Sequence, residues 1–416
     1  MNNKEINKVR RIAVVGGGIG GLTFAIAMRH HGIDVDIYEQ ADELREVGAA
    51  VALSANASRF YYGKWGMGES LDEAAFEVSA GICRDGKTGE LICRHEAGQA
   101  YRDLFGAPYL GIHRAELQRI LSTKVGMDRI HLGKRLEHID DSGDQVVLHF
   151  ANGSKAEADI VIGADGVRST IRNLLLGYED YLYAGYSGFR GIVPIEKMPS
   201  MPEPSALQIW MGESSHCVHY PIGGDRKGDV NFLLVERTPA TWPVRQGIMP
   251  AADGEHLRNF KDWHPAVLEM ISANTLDTLN ERWGMLYRMT LGRWSKGRIT
   301  LIGDAAHPVI PNHGQGANQS IEDAVVLSDC IAAAGSQSIS ETFERYERLR
   351  HGRTRKVAYA SIATGDVLHL PPGENRDRRN ARFASHEAML HHLDWMHGFD
   401  CGNLNEPNER QGGTWL

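Results

Sequence analysis

Cysteine is scarce and poorly placed for cross-linking. The five in 416 residues, Cys83, Cys93, Cys217, Cys330 and Cys401, are odd in number, scattered and without CxxC spacing. That pattern argues against a disulfide framework, and reduced thiols in a cytoplasmic protein are the simplest reading. Positive charge is also short. Forty-five Lys and Arg stand against 53 Asp and Glu, for a formal net charge of -8, whereas binding a nucleic acid backbone needs a concentrated basic surface. The one basic run, Arg345 to Lys356, is punctuated by Glu344 and Glu347 at helical spacing and predicts a solvated helix face. No apolar run spans a membrane. The uncharged stretch from Ile12 to Met28 is glycine-rich, too short, and continues into a strand with an acidic end, so neither a signal peptide nor a membrane helix is expected. The histidine-rich tail (His386, His391, His392, His397) lacks a supporting acid or cysteine pattern, so no metal site is expected there. There is no internal repeat or low-complexity linker. At 42% hydrophobic and 24% charged residues, the chain is long enough for two domains sharing a large core.

What the sequence does contain is organised around Arg298 to Ala324. The apolar run Ile299 to Ile302 reads as a buried strand that delivers one carboxylate, Asp304, at its carboxyl end, where open α/β sheets meet ligands. Pro308 and Pro311 keep the next segment out of helix. Gly314 and Gly316 then let the backbone approach something flat, before a helical pattern begins at Ile321. The start of that helix, Gly316-Ala317-Asn318, suits an anionic or electron-rich group.

The N-terminus supplies a matching partner. A strand from Arg11 to Val15 runs into Gly16-Gly17-Gly18-Ile19-Gly20-Gly21 and a helix through Met28. In this reading Gly16 makes the turn, Gly18 admits a pyrophosphate and Gly21 lets the helix pack on the strand. A second strand, Val35 to Tyr38, ends at Glu39, the position of a ribose-binding carboxylate. These signals specify a dinucleotide site without choosing between NAD and FAD. A third segment, Gly163-Ala164-Asp165-Gly166-Val167-Arg168-Ser169, follows another buried strand.

Taken together, the three segments resemble the class A (single-component) FAD-dependent aromatic monooxygenases, in particular the group containing 3-hydroxybenzoate 6-hydroxylase, salicylate hydroxylase and 6-hydroxynicotinate 3-monooxygenase. The resemblance implies an α/β fold. A Rossmann-like FAD-binding domain of the PHBH type (residues 1–75, 110–177 and 284–335) would interleave with a substrate-binding β-sheet domain (76–109 and 178–283), followed by a C-terminal helical segment (336–416). It implies that Asp304 holds the ribityl chain of FAD and that Gly316, Ala317 and Asn318 sit against the flavin. Arg114 and Asp165 would contact the cofactor, while Arg45 is either a flavin neighbour or a surface charge. The pattern departs from the family at Ala50 and at Ser54-Ala55, where glycine and a glycine-proline pair are usual.

The expected activity is hydroxylation of a small phenolic or hydroxylated N-heteroaromatic substrate through a C4a-hydroperoxyflavin, with O2 and with NADH or NADPH as a transient co-substrate. A homodimer is left open. His216 and Tyr220 lie four apart on a strand-like stretch and so share a face, with His219 on the other side. The family pair with this spacing binds substrate and assists removal of its phenolic proton. His313 is the alternative base, Arg190 a candidate anchor for a substrate carboxylate, and Pro311 and Asn312 candidate pocket walls. Two rival readings stand beside this one: an FAD enzyme oxidising or epoxidising a larger secondary metabolite, and a non-catalytic flavin-fold binding protein.

Overall fold

The computed structural model describes residues 5–44, 50–177, 180–223, 228–238, 241–243, 247–274, 277–288 and 292–402. At one end is a five-stranded parallel sheet, ordered Ile299–Leu301, Ile160–Gly163, Ile12–Val15, Asp36–Tyr38 and Ile130–His131. Three adjacent strands, Ile299–Leu301, Ile160–Gly163 and Ile12–Val15, are buried at every position. They need continuous apolar runs because helices cover both faces of a parallel sheet. The helix Ile19–His30 packs between the helices Gly316–Ala332 and Arg114–Val125. This holds both helix starts that the sequence singled out at the carboxyl ends of the strands.

An eight-stranded sheet forms the other half. Its order is Ile248–Pro250, Glu281–Tyr287, Leu182–Pro194, Asp229–Arg237, Ser215–Ile222, Leu207–Gly212, Ala80–Asp85 and Leu91–Glu96. The last of the long segments stays in this sheet through Tyr287, so the sheet runs slightly past the expected boundary at 283. One face packs on an aromatic core that includes Phe189, Trp210, Phe232, Phe260 and Trp263, covered by the helix Pro265–Ser272. The other face looks toward the parallel sheet. Alternation along each strand separates the two, so Phe189 enters the core while Arg190 turns to the opposite side.

The C-terminal segment is helical: Ile339–Leu368, Glu374–Ala384 and His386–His397. The first opens with a capping box in which Ser338 and Glu341 satisfy each other's backbone N–H groups. The expectation of a solvated basic face needs correction here. Arg348 and Arg355 are exposed, but Arg350 and Arg353 are buried. Three apart on a helix, they share the inner face and meet Glu322 and Asp323 of the helix Gly316–Ala332. Among the described residues, no helix is long and apolar enough to cross a membrane.

Candidate active site

A single cavity of about 820 Å³ joins the two halves. Its first end is the turn after Ile12–Val15. Gly16 has φ +111°, and a Cβ there would lie 2.3 Å from the Ala164 carbonyl oxygen. A Cβ on Gly21 would lie 2.2 Å from the Gly16 carbonyl oxygen, so the helix can close on the turn only at glycine. Gly18 caps the helix and faces the cavity. The turn is braced from two sides: Glu39 accepts from the Gly17 and Ala41 N–H groups at 2.7 and 2.9 Å, and Gln118 donates to the Gly17 carbonyl at 2.9 Å. Glu39 and Gln118 also line the cavity. The floor thus offers a carboxylate and a side-chain-free helix start to an elongated anionic ligand.

Further in, Asp165, Asp304 and Arg114 approach from three different strand ends. Burial pushes the Asp304 carboxyl up, although Arg114 beside it pulls the other way. Asp165 is also raised by burial, while it accepts from the Ser169 hydroxyl at 2.5 Å and the Ile171 N–H at 3.1 Å. Gly316 and Ala317 present the start of their helix to the same space. The Asn318 side chain does not reach it. Its amide is spent on the Ser54 N–H and on the Ala52 and Gly314 carbonyls, so its side chain ties the strand Ala50–Leu53 to the turn instead of facing a cofactor. The unusual Ser54 serves this lock, donating its N–H to the Asn318 side-chain oxygen and accepting from the Gln315 amide at its hydroxyl. Arg45 lies outside the described residues.

The far wall is the eight-stranded sheet. His216 and Tyr220 both face the cavity, on either side of Val218. His219 points the other way and accepts from the Trp210 indole N–H at 3.2 Å. His216 is buried, with Nδ1 2.7 Å from Nε2 of His369. Burial, reinforced by His369, holds the His216 imidazole well below its usual pKa, and burial takes His369 to about 3. Both rings are therefore neutral at neutral pH, and one must donate to the other. Burial raises the Tyr220 hydroxyl, so it keeps its proton.

His313 lies across the space with Nε2 2.8 Å from the Thr364 hydroxyl, its pKa lowered by burial to about 4. Pro311 and Asn312 also line the cavity, and the Asn312 amide donates to the Ser361 carbonyl at 2.9 Å. Arg190 lies flat against the Trp283 ring, 3.4 Å from its centroid. Burial first, and then repulsion from Arg114, lowers its pKa to about 10, which leaves it a cation at neutral pH. Its Nε is buried without a hydrogen-bond partner among the described residues.

Several contributors were not visible in the sequence. His369 ends the helix Ile339–Leu368, some 150 positions from His216, and nothing local marks it. Tyr101, on the cavity wall, shares a 2.9 Å hydrogen bond with Nδ1 of His397. In the structure, the Trp395 and Met396 carbonyls accept from Arg353, which also binds Glu322.

The FAD binding domain family matches residues 10–361, and the chain belongs to that family. The 3-amino-4-hydroxybenzoate 2-monooxygenase of Streptomyces cremeus is 36% identical over 94% of this chain and 96% of its own length. The 6-hydroxynicotinate 3-monooxygenase of Pseudomonas fluorescens is 33% identical over 83% of this chain and 89% of its own. Among solved structures, Klebsiella pneumoniae HpxO complexed with FAD and uric acid superposes with a TM-score of 0.79 at 27% identity, covering 91% of this chain and 94% of that one. The residues present fit the cofactor. The glycine turn, Glu39, Asp304 and the bare start of Gly316–Ala332 lie along one continuous cavity, with no side chain projecting at Gly16 or Gly18.

Proposed function

We propose that this chain is an FAD-dependent monooxygenase that uses NAD(P)H and O2 to hydroxylate a small ring carrying both a hydroxyl and a carboxylate, either a phenol or a hydroxylated N-heteroaromatic. The observation that carries this reading is the continuity of the cavity from the Gly16 turn to the wall bearing His216 and Tyr220. Relatives of similar sequence are named for hydroxylated aromatic acids. In this reading Glu39 holds the adenosine ribose, Asp304 the ribityl hydroxyls and Arg114 with Asp165 the intervening cofactor, while Gly316 and Ala317 supply helix-start N–H groups at the ring. The chemistry that FAD supplies when bound is acceptance of a hydride from NAD(P)H and activation of O2.

The protein's own residues prepare the substrate. His216 is neutral and buried, so it takes the phenolic proton only as its hydrogen-bonded neighbour His369 and the nascent phenolate share the resulting charge. Tyr220 remains protonated and donates to the substrate oxygen. Arg190 supplies the positive charge that anchors a carboxylate, a role suited to a guanidinium fixed flat against an indole. The walls exclude water, so that loss of the proton makes the ring electron-rich only inside the cavity.

The test is a screen of hydroxybenzoates, aminohydroxybenzoates and hydroxypyridine carboxylates for stimulated NADH and NADPH oxidation by FAD-loaded protein. Hydroxylated product should accumulate with at least one of them. Oxidation that returns all its oxygen as peroxide with every ring would overturn the reading. A larger substrate is the second reading, favoured by the extension of the cavity past Ile209 to Cys93 and Phe383; hydroxylation of bicyclic but not monocyclic rings would support it.

A further inference from the structure

Two thiols on the sheet wall of the cavity have no part in that chemistry. One row of side chains crosses six strands of the large sheet in register: Arg190, Leu233, Val218, Ile209, Cys83 and Cys93. Val218 stands between His216 and Tyr220, so the row links the substrate wall directly to the cysteines. At about 4.8 Å per strand, Cys83 lies roughly 10 Å from Val218 across Ile209.

Cys83 and Cys93 stand directly opposite each other on the antiparallel strands Ala80–Asp85 and Leu91–Glu96. Both are unpaired thiols, buried from the outer surface, and both line the cavity. Opposed residues of an antiparallel pair have Cα atoms about 4.5 or about 5.5 Å apart. Either separation falls within the roughly 4.4–6.8 Å that a disulfide bridges, although the ladder shifts register just beyond this pair. His95, whose Nε2 is 2.9 Å from the Phe383 carbonyl oxygen, also contacts the Cys93 thiol.

We propose that Cys83 and Cys93 form a dithiol site that takes hydroperoxide as its two-electron oxidant and closes to a cross-strand disulfide. The Cys93 thiolate attacks one peroxide oxygen, breaking the O–O bond to give a sulfenic acid and hydroxide. The Cys83 thiol then displaces the sulfenic oxygen, which leaves as water with the Cys83 proton, and the hydroxide takes up the proton that Cys93 lost on ionising. In total, two thiols and one hydrogen peroxide give one disulfide and two waters. The division of labour follows from the local contacts. The neighbouring Cys83 thiol, helped by His95, outweighs burial and holds the Cys93 thiol down, whereas Cys93 and burial push the Cys83 thiol up. Cys217, Cys330 and Cys401 are each raised by burial and have no cysteine opposite them, so they serve as controls within the same molecule.

The site would intercept peroxide released in the cavity when O2 is reduced without hydroxylation, and that source rests on the function proposed above. The chemistry itself can be tested apart from it. FAD-loaded protein, freed of reductant and without NAD(P)H, is treated with hydrogen peroxide, denatured and alkylated, and its peptides are mapped by mass spectrometry. The expected result is that titratable thiols fall from the five of the sequence to three, with Cys83 and Cys93 recovered as one linked peptide pair that dithiothreitol releases. Alkylation of Cys83 and Cys93 to the same extent as the three control cysteines would overturn the proposal, as would conversion of either to a sulfinic acid without a link. Phenylarsine oxide, which bridges paired thiols, gives a second measurement: one equivalent should bind and block the link, and none should bind to Cys83→Ser protein. Failure of these tests would leave hydroxylation untouched, and absence of hydroxylation would leave them readable.

Discussion

At the residue scale, the site separates groups that face the cavity from groups that hold those facing it. His216→Asn and Tyr220→Phe should leave FAD bound and lower productive hydroxylation by roughly 10² or more, since each removes a proton-handling group. Stopped-flow reduction and product yield per NAD(P)H check this, and near-normal coupled turnover in both variants would transfer the role to His313. Asp304→Ala should weaken FAD by roughly 1–3 kcal/mol through loss of a buried acceptor, read by flavin fluorescence titration. Glu39→Ala should weaken FAD as well, but with an additional effect. Because Glu39 also receives the Gly17 and Ala41 N–H groups, the cofactor-free protein should melt at lower temperature. A change in cofactor affinity with no change in the apoprotein's melting temperature would mean that the turn does not depend on this brace.

At the scale of elements, the parts legible in the sequence are those whose cause is local. The strand Ile12–Val15, the glycine turn and the helix Ile19–His30 could be read because a strand buried on both faces must be continuously apolar and a close helix approach must be glycine. His216 and Tyr220 could be placed on one face, with His219 on the other, because strand periodicity fixes it. What could not be read is pairing across the chain. Nothing near Arg350 and Arg353 announces that Glu322 and Asp323 will meet them, so a charged helix looked solvated. Asn318 was expected at the cofactor as part of the helix start Gly316-Ala317-Asn318, and nothing local announces that its side-chain amide binds Ser54 and Ala52, which lie far back in sequence. The buried cluster also joins the helix Gly316–Ala332 to Ile339–Leu368. Arg353→Met should therefore destabilise the protein by about 3–5 kcal/mol, because Glu322 would lose one of its two compensating cations in a dry environment. Urea unfolding of the purified variant measures it, and a loss within that of an ordinary surface substitution would show the cluster to be dispensable.

At the scale of the whole molecule, the same cluster ties together parts that are distant in sequence. Asp323 accepts from the Gly303 N–H, beside the parallel sheet, and from His307 and Arg350. Through Arg353 the network reaches the carbonyls that end the last helix. Burial alone would raise the Asp323 carboxyl, but His307 and Arg350 outweigh it and bring it to about 2, against an ordinary value of 3.8. Glu322 is lowered in the same way by Arg353 and Arg350 against the opposing effect of burial. A carboxylate with a depressed pKa in the folded state binds its proton first in the unfolded chain. Its contribution is therefore fully present above about pH 4 and is lost as pH falls toward about 2. For Asp323 alone the loss is about 2 kcal/mol. Asp304 and Asp165 act in the opposite sense: both are raised, so their burial costs stability at neutral pH, and that cost is relieved as they protonate. The cofactor-free protein should consequently hold its urea midpoint down to about pH 4 and then lose it steeply. Asp323→Asn should start from a lower midpoint, because Arg350 loses a partner, and should fall less steeply between about pH 4 and about pH 2. Parallel acid profiles for the two proteins would mean that Asp323 is not the group whose protonation releases the C-terminal helices from the parallel sheet.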